Sequence, residues 1–107
     1  MSDDAAPDKE LGPGVPAGAI SRELLIINKR GLHARASAKF VQMVEKFDAE
    51  VWVTRGNETV GGTSIMGLMM LAAGTGSTVI VRTAGKEASL AMDALCALVS
   101  SRFGEDE

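Results

Sequence analysis

Aromatic side chains are scarce in this chain: the sequence has no tyrosine, one tryptophan and three phenylalanines. Proteins that bind single-stranded nucleic acid stack bases on aromatic rings, and most nucleic-acid-binding domains carry a basic face. The formal net charge here is −3 at pH 7. Composition and charge therefore argue against a nucleic-acid partner.

Cysteine is nearly absent, and long apolar runs are missing. Cys96 is the single cysteine, so no disulfide can form within the chain, and its apolar neighbours at 94–98 indicate a small core residue. One histidine and one cysteine far apart do not have the spacing of metal ligands. No window approaches the roughly 20 apolar residues of a membrane span, and the acidic N-terminus does not resemble a signal peptide. We expect a cytoplasmic protein that uses no metal or cofactor and does not enter the membrane.

The first twenty residues differ in composition from the rest of the chain. Residues 1–20 contain all three prolines, together with several small and acidic residues, and show neither helical nor strand periodicity. This composition is typical of a flexible N-terminal extension. The remaining residues, 21–104, are predicted to form one domain.

The domain alternates between strand and helix patterns. Short apolar or alternating runs predict strands at 22–28, 50–55, 58–61 and 77–83, and Gly56-Asn57 predicts a hairpin turn between the middle two. In these strands Leu24, Ile26, Val51 and Val53 are predicted to face the helices.

Apolar residues at spacings of three and four predict helices at 34–47, 64–71 and 86–103. The resulting order is β-α-β-β-α-β-α. It predicts an α+β domain, an open-faced β-sandwich in which three helices cover one face of a four-stranded antiparallel sheet.

His33 lies between a glycine turn and the first predicted helix. The free N–H groups and the dipole at such a helix start attract anions, and Arg35 can offer a charged fork to phosphate oxygens. The small residues Ala34 and Ala36 are expected to leave the approach open. A neutral imidazole is a nucleophile near pH 7, so these features suit phosphoryl transfer. A simple helix-capping histidine is the alternative.

The segment Gly-Leu-His-Ala-Arg at 31–35 resembles the active-site motif of the HPr family, the phosphocarrier proteins of the phosphoenolpyruvate-dependent phosphotransferase system. The segment Ser-Ile-Met-Gly-Leu-Met at 64–69 resembles the regulatory serine segment of family members that have an HPr kinase. The resemblance covers about residues 20–103, and the family's fold has the same element order.

This resemblance implies a role for each matching residue. His33 is expected to be phosphorylated on Nδ1 by enzyme I, which takes the phosphoryl group from phosphoenolpyruvate, and Arg35 to contact the phosphate. Ser64 is expected to be the serine that HPr kinase/phosphorylase modifies. Ala36 stands where the family often has proline, which resembles the nitrogen-related NPr branch. That branch commonly passes the group to a regulatory enzyme IIA.

The second helix has two apolar sides, of which only one can face the sheet. The resemblance places Leu68 and Leu71 inward and leaves Ile65, Met66 and Met69 outside, near His33. Without the resemblance, the apolar stripe of Ile65, Met66 and Met69 would be assigned to the core. Exposed methionines suit a surface that binds several partners. We expect a docking patch beside Ser64, an N-cap residue whose phosphorylation would add about −1.5 to −2 charges there. A carrier that docks in series is expected to be a monomer.

Two other classes of function are alternatives to a phosphocarrier. A purely regulatory module would bind partners only through phosphorylated Ser64, but His33 argues against it because the regulatory-only relatives lack the active histidine. An enzyme with turnover of its own would need a phosphate loop, a catalytic triad or a metal cluster, and the sequence has none of these motifs.

Overall fold

The structure is a computed structural model that describes residues 14–106. Most of the predicted extension 1–20 therefore lies outside the described residues, and its flexibility stays a prediction. The elements, in chain order, are β1 (Ile20–Leu25), α1 (Ala34–Val44), β2 (Glu50–Arg55), β3 (Glu58–Gly61), α2 (Ile65–Met70), β4 (Thr78–Ala84), α3 (Ala88–Ser100) and a single 3₁₀ turn (Arg102–Gly104). This order confirms the predicted β-α-β-β-α-β-α arrangement.

The four strands form one antiparallel sheet in the order β1-β4-β2-β3. The hairpin turn is at Gly56-Asn57, as predicted, and Gly56 has a φ of +61° there. The first strand is shifted from the predicted 22–28. It begins at Ile20, which pairs with Thr83, and ends at Leu25, which pairs with Thr78, the first residue of β4.

The helices cover one face of the sheet, because buried apolar residues alternate with more exposed residues along the strands. Val51, Val53, Val79 and Val81 are buried while their sequence neighbours on the other face are more exposed, with the exceptions of Thr54 and Arg82, which are also buried. Ile26 is buried and Leu25 is exposed, as the alternation predicts. The α+β open-faced sandwich is thereby confirmed.

Two helices are shorter than the sequence indicates. Helix α1 ends at Val44, and the next residues form tighter turns, in which the N–H of Phe47 donates to the carbonyl of Val44. Helix α3 ends at Ser100, and residues 102–104 turn in the opposite sense with positive φ. Its buried face includes Leu95 but leaves Leu98 half-buried. Cys96 is partly buried and packs against the core, as predicted.

The turn before α1 depends on glycine at position 31. Gly31 has a φ of +64°, and a Cβ there would lie 2.4 Å from the carbonyl oxygen of Ala73. The next residue, Leu32, donates its N–H to that same oxygen at 2.9 Å. This close approach ties the start of α1 to the segment after α2.

Within residues 14–106, no helix combines the length and apolar character that crossing a bilayer requires.

Gly31→Ala should lower the free energy of unfolding by about 2 kcal/mol or more, because a left-handed φ and a backbone clash act together. Urea unfolding at neutral pH measures this. Gly74→Ala is the matched control, since a Cβ there meets no atom within 4 Å. Equal stability of the two variants would contradict the argument.

Candidate functional site

His33 is the N-cap residue of α1. Its backbone is extended, with φ −75° and ψ −179°, and its carbonyl oxygen accepts the first helical bond, from the N–H of Ser37 at 2.9 Å. The side chain makes no capping hydrogen bond, so His33 occupies the N-cap position but does not cap the helix through its ring. The N–H groups of residues 34–36 precede the first helical bond and remain available to an anion.

The imidazole of His33 is held from one side by the C-terminal tail, the described residues 101–106 that follow α3. Its Nε2 lies 2.5 Å from Oε2 of Glu105, and the two side chains are 17% and 14% exposed. The ring is therefore less open than its position in a turn suggests, because the carboxylate covers one edge. Among residues 14–106, no hydrogen bond to Nδ1 is found.

The carboxylate of Glu105 has a second anchor at Asn28. The side-chain amide of Asn28 donates to Oε1 of Glu105 at 3.1 Å and to the carbonyl oxygen of Gly31 at 2.8 Å. Asn28 is fully buried, so this bridge is rigid. It joins the turn before His33 to the tail.

An unusual backbone turn brings the tail back to α1. Arg102, Phe103 and Gly104 have φ values of +59°, +56° and +75°, and left-handed backbone costs non-glycine residues about 1 kcal/mol or more each. Two contacts offset this cost. Phe103 is 1% exposed in the core, and Nζ of Lys39 donates to its carbonyl oxygen at 2.6 Å.

The charge state of Glu105 follows from these contacts. Burial raises the pKa of Glu105, but hydrogen bonds with His33 and Asn28 and the positive charges of His33 and Lys39 outweigh it, so the pKa lies below its ordinary value of 4.5. The carboxylate is therefore ionised at neutral pH, which makes it a hydrogen-bond acceptor only.

A shallow cleft beside His33 collects positive charge. Arg35 is exposed and lines this cleft with other cations from the turn and from α1, while residues 104–106 line its remaining side. The lining residues are Lys29, Arg30, Arg35, Lys39, Gly104, Glu105 and Asp106. Ala34 is exposed as expected, but Ala36 is fully buried, so it packs in the core and does not shape the approach.

Ser64 is the N-cap of α2, and its Oγ accepts the N–H of Gly67 at 2.9 Å. Glycine is needed at position 67, because a Cβ there would lie 2.9 Å from Oγ of Ser64 and 3.0 Å from Cβ of Val60. The predicted capping role of Ser64 is confirmed. Its hydroxyl is at the surface, where a modifying protein could reach it.

The apolar side chains of α2 divide as the resemblance implied. Leu68 is fully buried, whereas the exposed fractions of Ile65, Met66 and Met69 are 41%, 68% and 40%. Met70, which the sequence analysis did not single out, is 68% exposed and extends the same surface. We call these four residues the α2 patch.

The segment that follows the C-terminal end of α2 lies beside His33. A depression is lined by Arg30, Leu32 and His33 and, across from them, by residues 72–74, which directly follow α2 and Leu71. A partner that covers the depression can therefore contact the helix end and the imidazole together. In the described part of the chain no three histidine, cysteine, aspartate or glutamate residues lie close enough to hold a metal ion.

Three residues of the site escaped the sequence analysis, namely Asn28, Lys39 and Glu105. Asn28 was interpreted only as a turn residue, and Glu105 lies 72 residues from His33. No local spacing signals such a contact. It depends on the left-handed turn at 102–104, which the Arg-Phe-Gly sequence does not favour before its glycine.

Comparison with known proteins gives a consistent result. Residues 20–101 match the family described as PTS HPr component phosphorylation site. The phosphocarrier protein HPr of Cupriavidus necator is 53% identical over 88 residues, which are 82% of this chain and 99% of that protein. The phosphocarrier protein NPr of Shewanella violacea is 41% identical over 86 residues, which are 80% of this chain and 94% of that protein.

A solved structure shares the same fold. The crystal structure of HPr-C-His from Thermoanaerobacter tengcongensis superimposes with a TM-score of 0.79 at 40% identity, covering 82% of this chain and 99% of that one. The matched family segment ends at residue 101, so Glu105 lies beyond it.

Glu105→Gln should change how stability depends on pH. A folded-state pKa below 4.5 means that Glu105 contributes stability above this pH and loses the contribution as the pH falls through the lower folded value. Urea unfolding should show wild type more stable than the variant at about pH 6, with the difference shrinking below about pH 4.5. Asp106→Asn is the control, and a pH-independent difference would contradict the assignment.

Proposed function

Because this chain belongs to the HPr family of phosphocarrier proteins, and is therefore a carrier and not an enzyme, we propose that His33 carries the phosphoryl group of a phosphotransferase system. The observation that supports this most directly is the position of the imidazole. It lies at the N-terminus of α1, where the first N–H groups have no helical partners and Arg35, two residues further on, is exposed.

The electrostatics of the site favour a transferable phosphate. Helix-terminal N–H groups and arginine stabilise phosphate oxygens, but a helix-end interaction contributes only about 0.3–1 kcal/mol at the surface and up to about 2 kcal/mol when partly buried. The phosphoryl group would therefore be oriented without being trapped. Phosphoryl transfer needs mainly positioning and charge stabilisation from the protein.

The donor in this proposal is enzyme I charged by phosphoenolpyruvate, and the acceptor is an enzyme IIA-type protein. Both must contact His33 in turn, and the α2 patch offers them an apolar surface beside it. Methionine side chains adapt to different shapes, which suits a surface used by successive partners. The carrier would act in the cytoplasm as a monomer.

A regulatory, nitrogen-related branch is the proposed setting of this relay. The support is Ala36, which stands where the family often has proline, and the 41% identity to the NPr protein of Shewanella violacea. Ala36 is fully buried under the first turn of α1. It therefore acts through the packing of that turn, and it leaves the nucleophile itself unchanged.

Ser64 is the proposed regulatory phosphorylation site, modified by HPr kinase/phosphorylase. A phosphoserine at the start of α2 would be tolerated by the fold, because helix N-termini favour negative charge. It would also place a hydrated dianion beside Ile65 and Met66, which are exposed and apolar. The expected consequence is weaker docking of enzyme I and slower phosphorylation of His33.

His33→Ala should abolish phosphorylation by enzyme I and phosphoenolpyruvate while circular dichroism stays native, since the chain contains no other histidine. Wild-type protein should acquire an acid-labile phosphate that disappears when an enzyme IIA domain is added. Parallel reactions with a nitrogen-related and a sugar-specific IIA identify the branch. Labelling that survives in the variant would refute the assignment of His33.

Ser64→Asp should slow phosphorylation of His33 by about ten-fold, equivalent to roughly 1.4 kcal/mol of lost docking energy. Ser64→Ala tests removal of the hydroxyl without added charge. Ser100→Asp adds the same charge at an exposed position on α3. Both controls should keep the rate of His33 phosphorylation close to that of wild type. An unchanged rate in Ser64→Asp and in kinase-treated protein would exclude Ser64 as a regulatory site.

A further inference from the structure

We propose that Glu105 is a positioning residue for His33, whose carboxylate accepts the Nε2 proton and so keeps the lone pair of the imidazole on Nδ1. This inference rests on the proposed function of His33 as the phosphoryl acceptor. It assigns a role to a residue outside the segment 20–101 that matches the family.

The tautomer follows from the contact itself. A neutral imidazole carries one N–H, and an ionised carboxylate can only accept hydrogen bonds. Because Nε2 of His33 lies 2.5 Å from Oε2 of Glu105, Nε2 must carry the hydrogen. Nδ1 is then the ring nitrogen with the free lone pair, and no described residue is hydrogen-bonded to it.

The carboxylate is fixed independently of the histidine. Oε1 of Glu105 accepts from the buried amide of Asn28, and the preceding backbone is fixed by the burial of Phe103 and by the bond from Lys39. The ring thus meets an acceptor that core residues hold in place. Such second contacts are how proteins select one histidine tautomer.

The same contact suits the transfer step. The Nδ1 lone pair forms a bond to phosphorus, and the bond between phosphorus and the donor breaks, with its electron pair leaving on the donor. The ring keeps its Nε2 proton and becomes cationic, and the adjacent carboxylate of Glu105 balances that charge. Onward transfer reverses these changes, so no proton must enter or leave Nε2 during the relay.

The test measures both the tautomer of His33 and the rate at which enzyme I phosphorylates it. Nitrogen-15 NMR of histidine-labelled protein at about pH 8.5, where free imidazole is neutral, should show wild type almost entirely as the Nε2–H tautomer. Glu105→Ala should populate both tautomers and slow phosphorylation by enzyme I roughly five-fold, the effect of losing one hydrogen bond. Glu105→Gln, whose amide oxygen can still accept from Nε2, should lie between them.

Asp93→Asn is the matched control, since Asp93 is exposed on α3, does not line the cleft and has no bond to the imidazole. It should keep the wild-type tautomer and rate. An unchanged tautomer or an unchanged rate in Glu105→Ala would overturn the role of Glu105. Wild-type protein that enzyme I does not phosphorylate would refute the proposed function instead, and the tautomer would still report on Glu105.

Discussion

The hydrogen bond from the N–H of Leu32 to the carbonyl oxygen of Ala73 determines where the first helix begins, and the site depends on that point. It forms only because Gly31 has a positive φ and no side chain facing residues 73 and 74. His33 follows directly and becomes the N-cap, with the helix dipole behind its ring. The same bond places the segment after α2 beside the histidine, so the C-terminal end of α2 is close to the nucleophile.

Charge is distributed to match this geometry. Residues 1–13 contain four of the 14 acidic residues and one of the 11 basic ones, so the remainder of the chain is formally neutral despite the net charge of −3. Four cations nevertheless line the cleft beside His33. Local positive potential attracts anionic groups and steers acidic partners. Among the described residues, Glu105, held at the ring edge opposite Nδ1, provides the one negative charge that contacts the imidazole directly.

Much of this fold could be predicted from local patterns. The alternation of Val51 and Val53 and the hairpin at Gly56-Asn57 located the sheet, and the Ser64 cap located α2. The predictions failed where tertiary packing overrides local preference. Arg102 and Phe103 adopt left-handed backbone that neither residue favours, because burial of the Phe103 ring outweighs the cost. The contact between Glu105 and His33 depends on that turn, so no local sequence pattern predicts it.

The central claim is that phosphate is transferred through Nδ1 of His33 while Nε2 is bonded to Glu105. The most direct measurement is nitrogen–phosphorus coupling by NMR in nitrogen-15-labelled protein that has been phosphorylated by enzyme I and phosphoenolpyruvate. The account predicts one phosphohistidine, with phosphorus coupled to Nδ1 and a proton retained on Nε2. Phosphorus coupled to Nε2, or phosphate found on a residue other than His33, would contradict it.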